Sequence, residues 1–422
     1  MSTEPKAAKA APARKQDPLE GVRLDVDALI DDPGTAIIVC CGSGGVGKTT
    51  TAAALGLRAA ERGRKVVVLT IDPARRLAQS MGLTELDNTP RVVKGVTGTG
   101  GAARASDKGG GGRRVGELQA MMLDMKRTFD EVVLAHADPE RARQIMENPF
   151  YQSLSSGFAG TQEYMAMEKL GQLQAAGTWD LIVVDTPPSR SALDFLDAPN
   201  RLGSFLDGTL IRILMAPAKV GGRSAMKFLN VGMNMFTGVL GKVLGANVLQ
   251  DVSTFVAAMD SMFGGFRERA DRTYQLLQAQ GTAFLVVAAP ERDALREAAY
   301  FVDRLEKDRM PLAGLVLNRV HRTGAPQLTA ERALAAAETL EGPDGDPVEG
   351  GELVLPPETE ILAAGLLRLH ADRVRTITHE RRMRDRFVSV YPDVPVVEVP
   401  ALAGDVHDLE GLREIGERLA KG

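Results

Sequence analysis

A glycine-rich loop that ends in a lysine and a threonine lies near the start of the chain. It consists of Gly42, Ser43, Gly44, Gly45, Val46, Gly47, Lys48 and Thr49, which fit the pattern G-x-x-x-x-G-K-[ST]. In such a loop backbone N–H groups surround a β-phosphate, and the following helix N-terminus adds partial positive charge. We expect Lys48 to bind the β- and γ-phosphates of ATP and the Thr49 hydroxyl to bind Mg²⁺, with Thr50 in the same ATP site. The weaker interpretation is a glycine-rich turn that only precedes a helix.

Two aspartates each end an apolar run, one directly before a proline and the other two residues before one. Asp185 follows the run at residues 181–184, and Asp72 ends the run at residues 65–71. Mg²⁺ prefers oxygen ligands, and α/β sheets bind ligands at the carboxyl ends of their strands. We therefore predict Asp185 as the second metal ligand and Asp72 as the group that orients the attacking water. For both residues the alternative is a turn aspartate that ends a strand.

The elements that must position these side chains are short apolar runs rich in β-branched residues. Buried strands are predicted at residues 36–41, 65–71, 181–185, 283–289, 312–318 and 396–399. Stretches of helical composition, such as 50–62 and 294–307, lie between them. Alternating strands and helices predict an α/β fold, with a mostly parallel sheet covered by helices on both faces.

The domain organisation follows from changes in composition. Residues 1–33 hold few large apolar side chains and are predicted to form a flexible tail, followed by a single domain at 34–421. The glycine-rich segment 95–115 is predicted to be a flexible loop. Twelve of the sixteen methionines lie between Met121 and Met262, which predicts a helical subdomain at roughly 117–175 and 197–280.

Composition and charge exclude several function classes. The net charge of -4 gives no electrostatic reason to expect a nucleic acid partner. The two cysteines, Cys40 and Cys41, are adjacent, and on a strand their side chains would point to opposite faces, so they build no metal cluster within one chain. We find neither a secretory signal nor a long apolar run, which predicts a cytoplasmic protein with at most peripheral membrane contact.

Together these motifs resemble the ArsA-like ATPases, which include the arsenite-pump ATPases and the guided-entry ATPases that deliver tail-anchored membrane proteins. The family P-loop K-G-G-x-G-K-[ST] aligns with residues 43–49, its D-P-A switch with residues 72–74, and its D-T-x-P switch with residues 185–188. The resemblance implies a deviant-Walker P-loop NTPase fold, hydrolysis of Mg-ATP and a dimer. It also implies that the switch residues are Asp72, Pro73, Asp185, Thr186, Pro187 and Arg190.

Two further residues gain a role from this resemblance. Asn318 follows a predicted strand and, judged from the residues alone, is as well explained by a capping side chain. The resemblance assigns Asn318 to recognition of the adenine, and it places Pro400 in the segment around the same base.

Departures from the family pattern concern the subunit partner and the transported species. Ser43 replaces the first lysine of K-G-G-x-G-K, which in the family reaches across the dimer to the partner's nucleotide, so the chain alone is expected to be a weak ATPase. The missing cation could come from Arg75, Arg76 or Arg190, or from a paralogous subunit that keeps the lysine, which we favour over a homodimer. With no C-x-x-C pair, we expect no zinc bridge, and the scarcity of cysteines makes an arsenite-pump subunit the weaker family interpretation.

A methionine-rich segment at residues 209–250 contains basic residues but no acidic ones. Flexible thioethers suit surfaces that repack around varied apolar partners, which makes Met226, Met233, Met235 and Phe236 candidates for a groove that binds a client or membrane partner. The alternative is the buried core of a helical subdomain.

The leading function is therefore an ATP-driven dimer whose switch loops move helical subdomains. A partitioning or septum-positioning ATPase is an alternative, although such ATPases usually lack a large methionine-rich insertion. A nucleotide-binding regulatory subunit with little hydrolysis of its own is a third interpretation, suggested by Ser43.

Overall fold

A largely parallel eight-stranded sheet forms the centre of the fold. The computed structural model describes residues 22–71, 75–83, 86–96, 116–149, 151–152, 155, 161–187, 265, 268–340 and 356–422. The strands are β1 (Ile37–Gly42), β2 (Lys65–Thr70), β3 (Arg91–Val92), β4 (Glu117–Met122), β5 (Leu181–Asp185), β6 (Thr282–Ala288), β7 (Leu312–Val320) and β8 (Val396–Pro400). Their order across the sheet is β3-β4-β2-β5-β1-β6-β7-β8, and only the β3–β4 pairing is antiparallel. The predicted α/β fold class is confirmed.

Helices cover both faces of this sheet. In chain order they are α1 (Val26–Asp31), α2 (Lys48–Glu61), α3 (Arg75–Ser80), α4 (Met125–His136), α5 (Pro139–Glu147), α6 (Thr161–Ala176), α7 (Arg292–Lys307), α8 (Ala330–Leu340), α9 (Pro357–Val390) and α10 (Leu409–Lys421). Residues 268–278 are also helical. Helices α1, α2, α3 and α10 pack on one face, and α4, α5, α6 and α7 pack on the other. Among the described helices, none combines the length and apolar character needed to cross a bilayer.

Strand β1 is buried along its whole length, because both of its faces are covered. Successive side chains alternate between the two cores, so Cys41 packs with Val39 on one face while Cys40 packs with Ile38 on the other. The prediction that the two cysteines point to opposite faces is confirmed. Burial raises the pKa of the Cys40 thiol, and it raises the pKa of Cys41 to about 12. Both thiols are therefore protonated at neutral pH.

The fold begins earlier than predicted, so residues 22–33 were wrongly assigned to a flexible tail. The backbone N–H of Leu24 donates to the carbonyl of Val396 at 3.1 Å, which extends the sheet beside β8. Helix α1 follows and buries Val26 and Ile30 completely. The error arose because these few apolar residues pack against chain segments far away in sequence. Residues 1–21 lie outside the described ranges.

The boundary predicted at residue 117 was also wrong, because residues 117–122 form strand β4. This strand pairs in parallel with β2, with Leu118 beside Val66. Helices α4, α5 and α6, which come next, pack directly on the sheet and bury Met165 and Met167 in its core. These two methionines are therefore core residues. Residues 97–115, most of the predicted loop, lie outside the described ranges, as do residues 188–264.

Candidate functional site

The glycine-rich loop follows β1 and turns directly into α2, as the motif requires. Gly47 precedes the helix with φ of 95°, in the left-handed region that favours glycine. A Cβ atom there would lie 2.3 Å from the side-chain nitrogen of Asn318. At Gly42 a Cβ atom would lie 2.1 Å from the carbonyl oxygen of Val287 on the neighbouring strand β6. Close packing at both ends of the loop therefore requires glycine.

Lys48 is buried within this loop, with 6% of its surface exposed. Its Nζ donates a hydrogen bond of 2.8 Å to the backbone carbonyl of Ser43. This contact joins the two ends of the loop and holds the ammonium group beside backbone N–H groups that are typical of phosphate sites. The arrangement is suited to an anionic ligand, because a buried ammonium group is stabilised by negative charge.

The carboxylate of Asp185 joins the loop to the neighbouring strands. Its Oδ2 atom accepts two hydrogen bonds, one from the Thr49 hydroxyl at 2.7 Å and one from the Thr70 hydroxyl at 3.0 Å. The carbonyl of Asp185 also accepts from the backbone N–H of Ile71 at 3.0 Å. Asp185 is fully buried at the end of β5, between β1 and β2. The start of α2 and the ends of β2 and β5 therefore meet at one carboxylate.

This donor set fits Mg²⁺. The Thr49 hydroxyl and the Asp185 carboxylate provide hard oxygen ligands, and both lie next to the phosphate loop. Magnesium in nucleotide sites usually takes one or two protein ligands and completes its coordination with phosphate oxygens and water. The two residues predicted as metal ligands thus lie together, and their role toward the metal stays a prediction.

The bases of both predicted switch segments are held by side-chain hydrogen bonds, one to a strand and one from a helix. Thr186 is buried, and its hydroxyl donates to the carbonyl of Cys40 at 2.9 Å. At the other switch, the side-chain amide of Gln162 on α6 donates to the carbonyl of Ile71 at 3.1 Å. Pro187 is partly buried. Of the remaining switch predictions, Asp72, Pro73 and Arg190 lie outside the described residues.

The two residues assigned to the adenine lie at the ends of adjacent strands. The amide of Asn318 donates to the carbonyl of Val46 at 2.8 Å, so the end of β7 is bonded to the phosphate loop. Val320, two residues further, pairs with Pro400 at the end of β8. The carbonyl of Pro400 in turn accepts from Arg418 at 3.1 Å. The structure thus brings Asn318 and Pro400 to the same sheet edge as the loop, and base recognition stays a prediction.

Ser43 has an unexpected environment. Only 9% of its surface is exposed, and its hydroxyl has no hydrogen-bond partner among the described residues. A short buried side chain does not extend toward another subunit. Ser43 therefore differs from the family's lysine in reach as well as in charge.

Two residues of this site were missed in the sequence. Thr70 is the last residue of β2 and contacts Asp185; its place at the carboxyl end of a predicted strand was a usable signal. Gln162 lies at the start of α6 and is distant in sequence from both switch segments. Its contact with Ile71 arises from tertiary packing, which no local pattern indicates.

The groove residues Met226, Met233, Met235 and Phe236 lie outside the described ranges, as does the side chain of Arg75. The groove interpretation and the core interpretation of that segment both stay predictions.

Comparisons with known proteins agree with this site. The family model described as Anion-transporting ATPase matches residues 35–331, well over half of the chain. The chain is 24% identical over 296 residues to "ATPase ASNA1 homolog 2" of Paramecium tetraurelia, covering 69% of this chain and 78% of that protein. It is 22% identical over 395 residues to "ATPase ARSA2" of Chlamydomonas reinhardtii, covering 93% and 86%. It is also 23% identical over 321 residues to "ATPase get3" of Schizosaccharomyces pombe, covering 75% and 83%. With its parallel sheet and phosphate loop, the chain is a nucleotide-binding ATPase and belongs to the ArsA family of anion-transporting ATPases.

Proposed function

We propose that this chain is a Mg-ATP-hydrolysing subunit of a dimer that binds an apolar client or a peripheral membrane partner. The observation that supports this proposal best is the carboxylate of Asp185, which bonds to Thr49 beside the phosphate loop and to Thr70 at the end of β2. Binding or hydrolysis of the nucleotide would therefore shift residues at the bases of both switch segments.

Each residue of the site has a distinct role in hydrolysis. Lys48 holds the β- and γ-phosphates and neutralises charge that develops on them. Thr49 and Asp185 would hold Mg²⁺, which would withdraw charge from the phosphate oxygens. Asp72 follows Ile71 directly and orients the attacking water, and Asn318 and Pro400 hold the adenine.

A series of contacts leads from this site to the helical residues 268–278. Gln162 bonds the carbonyl of Ile71, next to Asp72, and it lies at the start of α6. Further along α6, the buried carboxylate of Glu168 accepts hydrogen bonds of 3.0 Å from Arg269. Arg269 belongs to the helical residues 268–278, which come shortly after the methionine-rich segment in the chain. These contacts support transmission of a movement of the first switch through α6 to residues 268–278.

The preferred dimer partner is a paralogous ATPase subunit that keeps the signature lysine. Ser43 is buried and neutral, so this chain supplies no lysine to a partner's nucleotide from that position. In a dimer with a lysine-bearing paralogue, the paralogue's lysine would still reach the nucleotide bound to this chain, so one of the two lysine contacts between the subunits would be kept. Self-association at the nucleotide site would instead need an arginine such as Arg75, Arg76 or Arg190 to supply the charge.

Steady-state and single-turnover hydrolysis test this proposal. The purified chain alone should be a poor ATPase, and a lysine-bearing paralogue should raise turnover well beyond the sum of the two. Fast hydrolysis by the chain alone, lost in Arg190→Ala, would favour the homodimer.

A regulatory subunit with little hydrolysis of its own is the second candidate, which the environment of Ser43 favours. If Asp72→Asn in this chain left the turnover of its mixture with the lysine-bearing paralogue unchanged, that result would support the regulatory role.

An arsenite-pump subunit is less well supported, because Cys40 and Cys41 are both buried and lie in different cores. In either case we propose a cytoplasmic location.

A further inference from the structure

Strand β7 contains a bulge next to the phosphate loop. Asn318 pairs with Val399 on β8, and Val320 pairs with the very next residue of that strand. The extra residue on β7 is Arg319, whose backbone has φ of 64°, in the left-handed region that residues other than glycine rarely adopt. Strained residues of this kind persist only where the contacts around them hold them, and they are concentrated at functional sites.

The bulge changes the face of the sheet on which the end of β7 packs. Side chains of a regular strand alternate, so residues 316, 318 and 320 would share one face. Val316 does pack in the core on the α2 side, where Asn318 also contacts the phosphate loop. Val320 instead packs in the opposite core, with Leu315 and Leu317. The extra residue thus lets Asn318 face the loop while the strand beyond it packs on the other side.

A buried carboxylate of α9 holds the far side of the bulge. Glu380 is 7% exposed, and its Oε2 accepts a hydrogen bond of 2.9 Å from the backbone N–H of His321. Its Oε1 lies 2.6 Å from Nδ1 of the same histidine. The carbonyl of Val320 also accepts from the backbone N–H of Ala401 at 2.9 Å. Arg319 itself is exposed, and within the described part of the chain its side chain forms no hydrogen bond or ion pair, so the contacts of its neighbours determine its conformation.

On the near side of the bulge, the amide of Asn318 is fixed against the loop and keeps polar groups for a ligand. Its Nδ2 donates to the carbonyl of Val46 at 2.8 Å, which uses one of the two N–H donors of the amide. The second N–H and the carbonyl oxygen are then a donor and an acceptor side by side. Adenine presents the complementary pair, the N7 acceptor and the N6 amino donor, whereas guanine presents acceptors at both places. The position of Asn318 therefore affects which base can be bound.

We propose that the left-handed bulge at Arg319, held by Glu380, positions Asn318 to bind the base of the nucleotide. This inference rests on the proposed function of Asn318 in adenine binding, and it adds two positioning residues that do not themselves contact the nucleotide. Arg319 acts through its backbone conformation, and Glu380 acts through its bonds to His321. Because neither residue belongs to the phosphate loop, loss of either should weaken binding of the base and spare binding of the phosphates.

Two substitutions of Arg319 separate the backbone from the side chain. Both Arg319→Gly and Arg319→Val remove the guanidinium, but glycine adopts a positive φ readily and a β-branched residue does not. Isothermal titration with Mg-ATP, and with Mg-tripolyphosphate, which lacks a base, measures the effect. Arg319→Gly should bind both ligands within about twofold of wild type, whereas Arg319→Val should bind Mg-ATP about tenfold more weakly and tripolyphosphate normally. Equal loss of ATP affinity in the two variants would assign the effect to the arginine side chain and overturn the proposal, as would wild-type binding by Arg319→Val.

Glu380 provides a second test that leaves residue 319 unchanged and that decides the question if melting by circular dichroism shows Arg319→Val to be unfolded. Glu380→Ala removes both acceptors for His321 and should lower the affinity for Mg-ATP, and the preference for ATP over GTP, about fivefold while tripolyphosphate binds normally. Glu380→Gln keeps an acceptor for the backbone N–H and should recover most of the affinity. Asp372→Ala is the matched control on the same helix, because the exposed carboxylate of Asp372 contacts Arg375 and not the end of β7. Unchanged ATP affinity in Glu380→Ala, or an equal loss in Asp372→Ala, would reject the role of Glu380.

Asn318→Ala, titrated in parallel, separates this inference from the proposed function on which it rests. Loss of the preference for ATP in Asn318→Ala, with wild-type behaviour of Arg319→Val and Glu380→Ala, would reject the positioning role alone. Unchanged affinities for ATP and GTP in Asn318→Ala would reject the assignment of Asn318 to the adenine, and the positioning role with it. The expected result is loss of the preference for ATP in all three variants, with tripolyphosphate binding retained.

Discussion

The hydroxyl of Thr49 donates a hydrogen bond of 2.7 Å to the carboxylate of Asp185, although 136 residues separate them in the sequence. Thr49 lies in the first turn of α2, and Asp185 ends β5, the neighbour of β1. The same carboxylate oxygen accepts from Thr70 at 3.0 Å. The side of the phosphate loop that we predict to bind Mg²⁺ is therefore already connected to the end of β2, which leads into the predicted first switch.

Removal of either polar group of the phosphate loop should abolish productive binding of Mg-ATP. Lys48→Ala removes the ammonium group that we predict to bind the phosphates, and Thr49→Ala removes a predicted oxygen ligand of the metal. Isothermal titration with Mg-ATP measures the effect. Lys126→Ala, an exposed lysine on α4, is the control and should bind like wild type. Wild-type binding by both loop variants would refute the assignment of the site.

Loss of the Thr70 hydroxyl should raise the Mg²⁺ concentration needed for half-maximal hydrolysis about fivefold. Thr70→Val keeps the shape of the side chain but leaves the Asp185 carboxylate with one donor fewer, a loss of about 1 kcal/mol. A magnesium titration of turnover measures this shift. Thr282→Val is a matched control, because its hydroxyl donates to Leu276 and makes no contact with Asp185. An unchanged titration in Thr70→Val would show that Thr70 does not support the metal site.

Interruption of the contact between α6 and the first switch should slow hydrolysis while ATP affinity stays within about twofold of wild type. Gln162→Leu removes the donor to the carbonyl of Ile71 but leaves the phosphate loop intact. Single-turnover hydrolysis and ATP titration should be compared on the same preparation. Gln174→Leu, near the end of the same helix, is the control. Equal single-turnover rates in Gln162→Leu and Gln174→Leu would show that Gln162 does not couple α6 to the first switch.

Asp72→Asn should leave ATP affinity nearly intact and slow hydrolysis strongly. The proposed work of Asp72 is on water in the transition state, so its loss affects the chemical step and not ground-state binding. The readouts are single-turnover rate and nucleotide affinity. Turnover equal to wild type would exclude the catalytic role.

Polar replacement of Met226, Met233, Met235 and Phe236 should preserve ATPase activity but abolish binding of an apolar partner. Thermal unfolding must be measured in parallel, with leucine replacements as the control. A large loss of stability in the polar variant alone would identify these side chains as core and contradict the groove.

Strand prediction succeeded where composition and tertiary structure agreed. The runs that became β1, β2 and β5 are β-branched and buried on both faces, which is the pattern of a central parallel strand. Strand β4, with the sequence Glu-Leu-Gln-Ala-Met-Met, was missed because each of its residues favours a helix. Its extended form depends on pairing with β2, which a local pattern does not reveal.

By itself, the sequence determined the phosphate loop and the strand-ending aspartate Asp185, because both depend on local patterns of residue type and spacing. Tertiary structure alone decided that Thr70 and Thr49 share this carboxylate, that Gln162 holds the base of the first switch, and that Ser43 is buried. These features depend on parallel strands that bring distant segments to one sheet edge, and on burial, which is a property of the whole fold and not of any single segment.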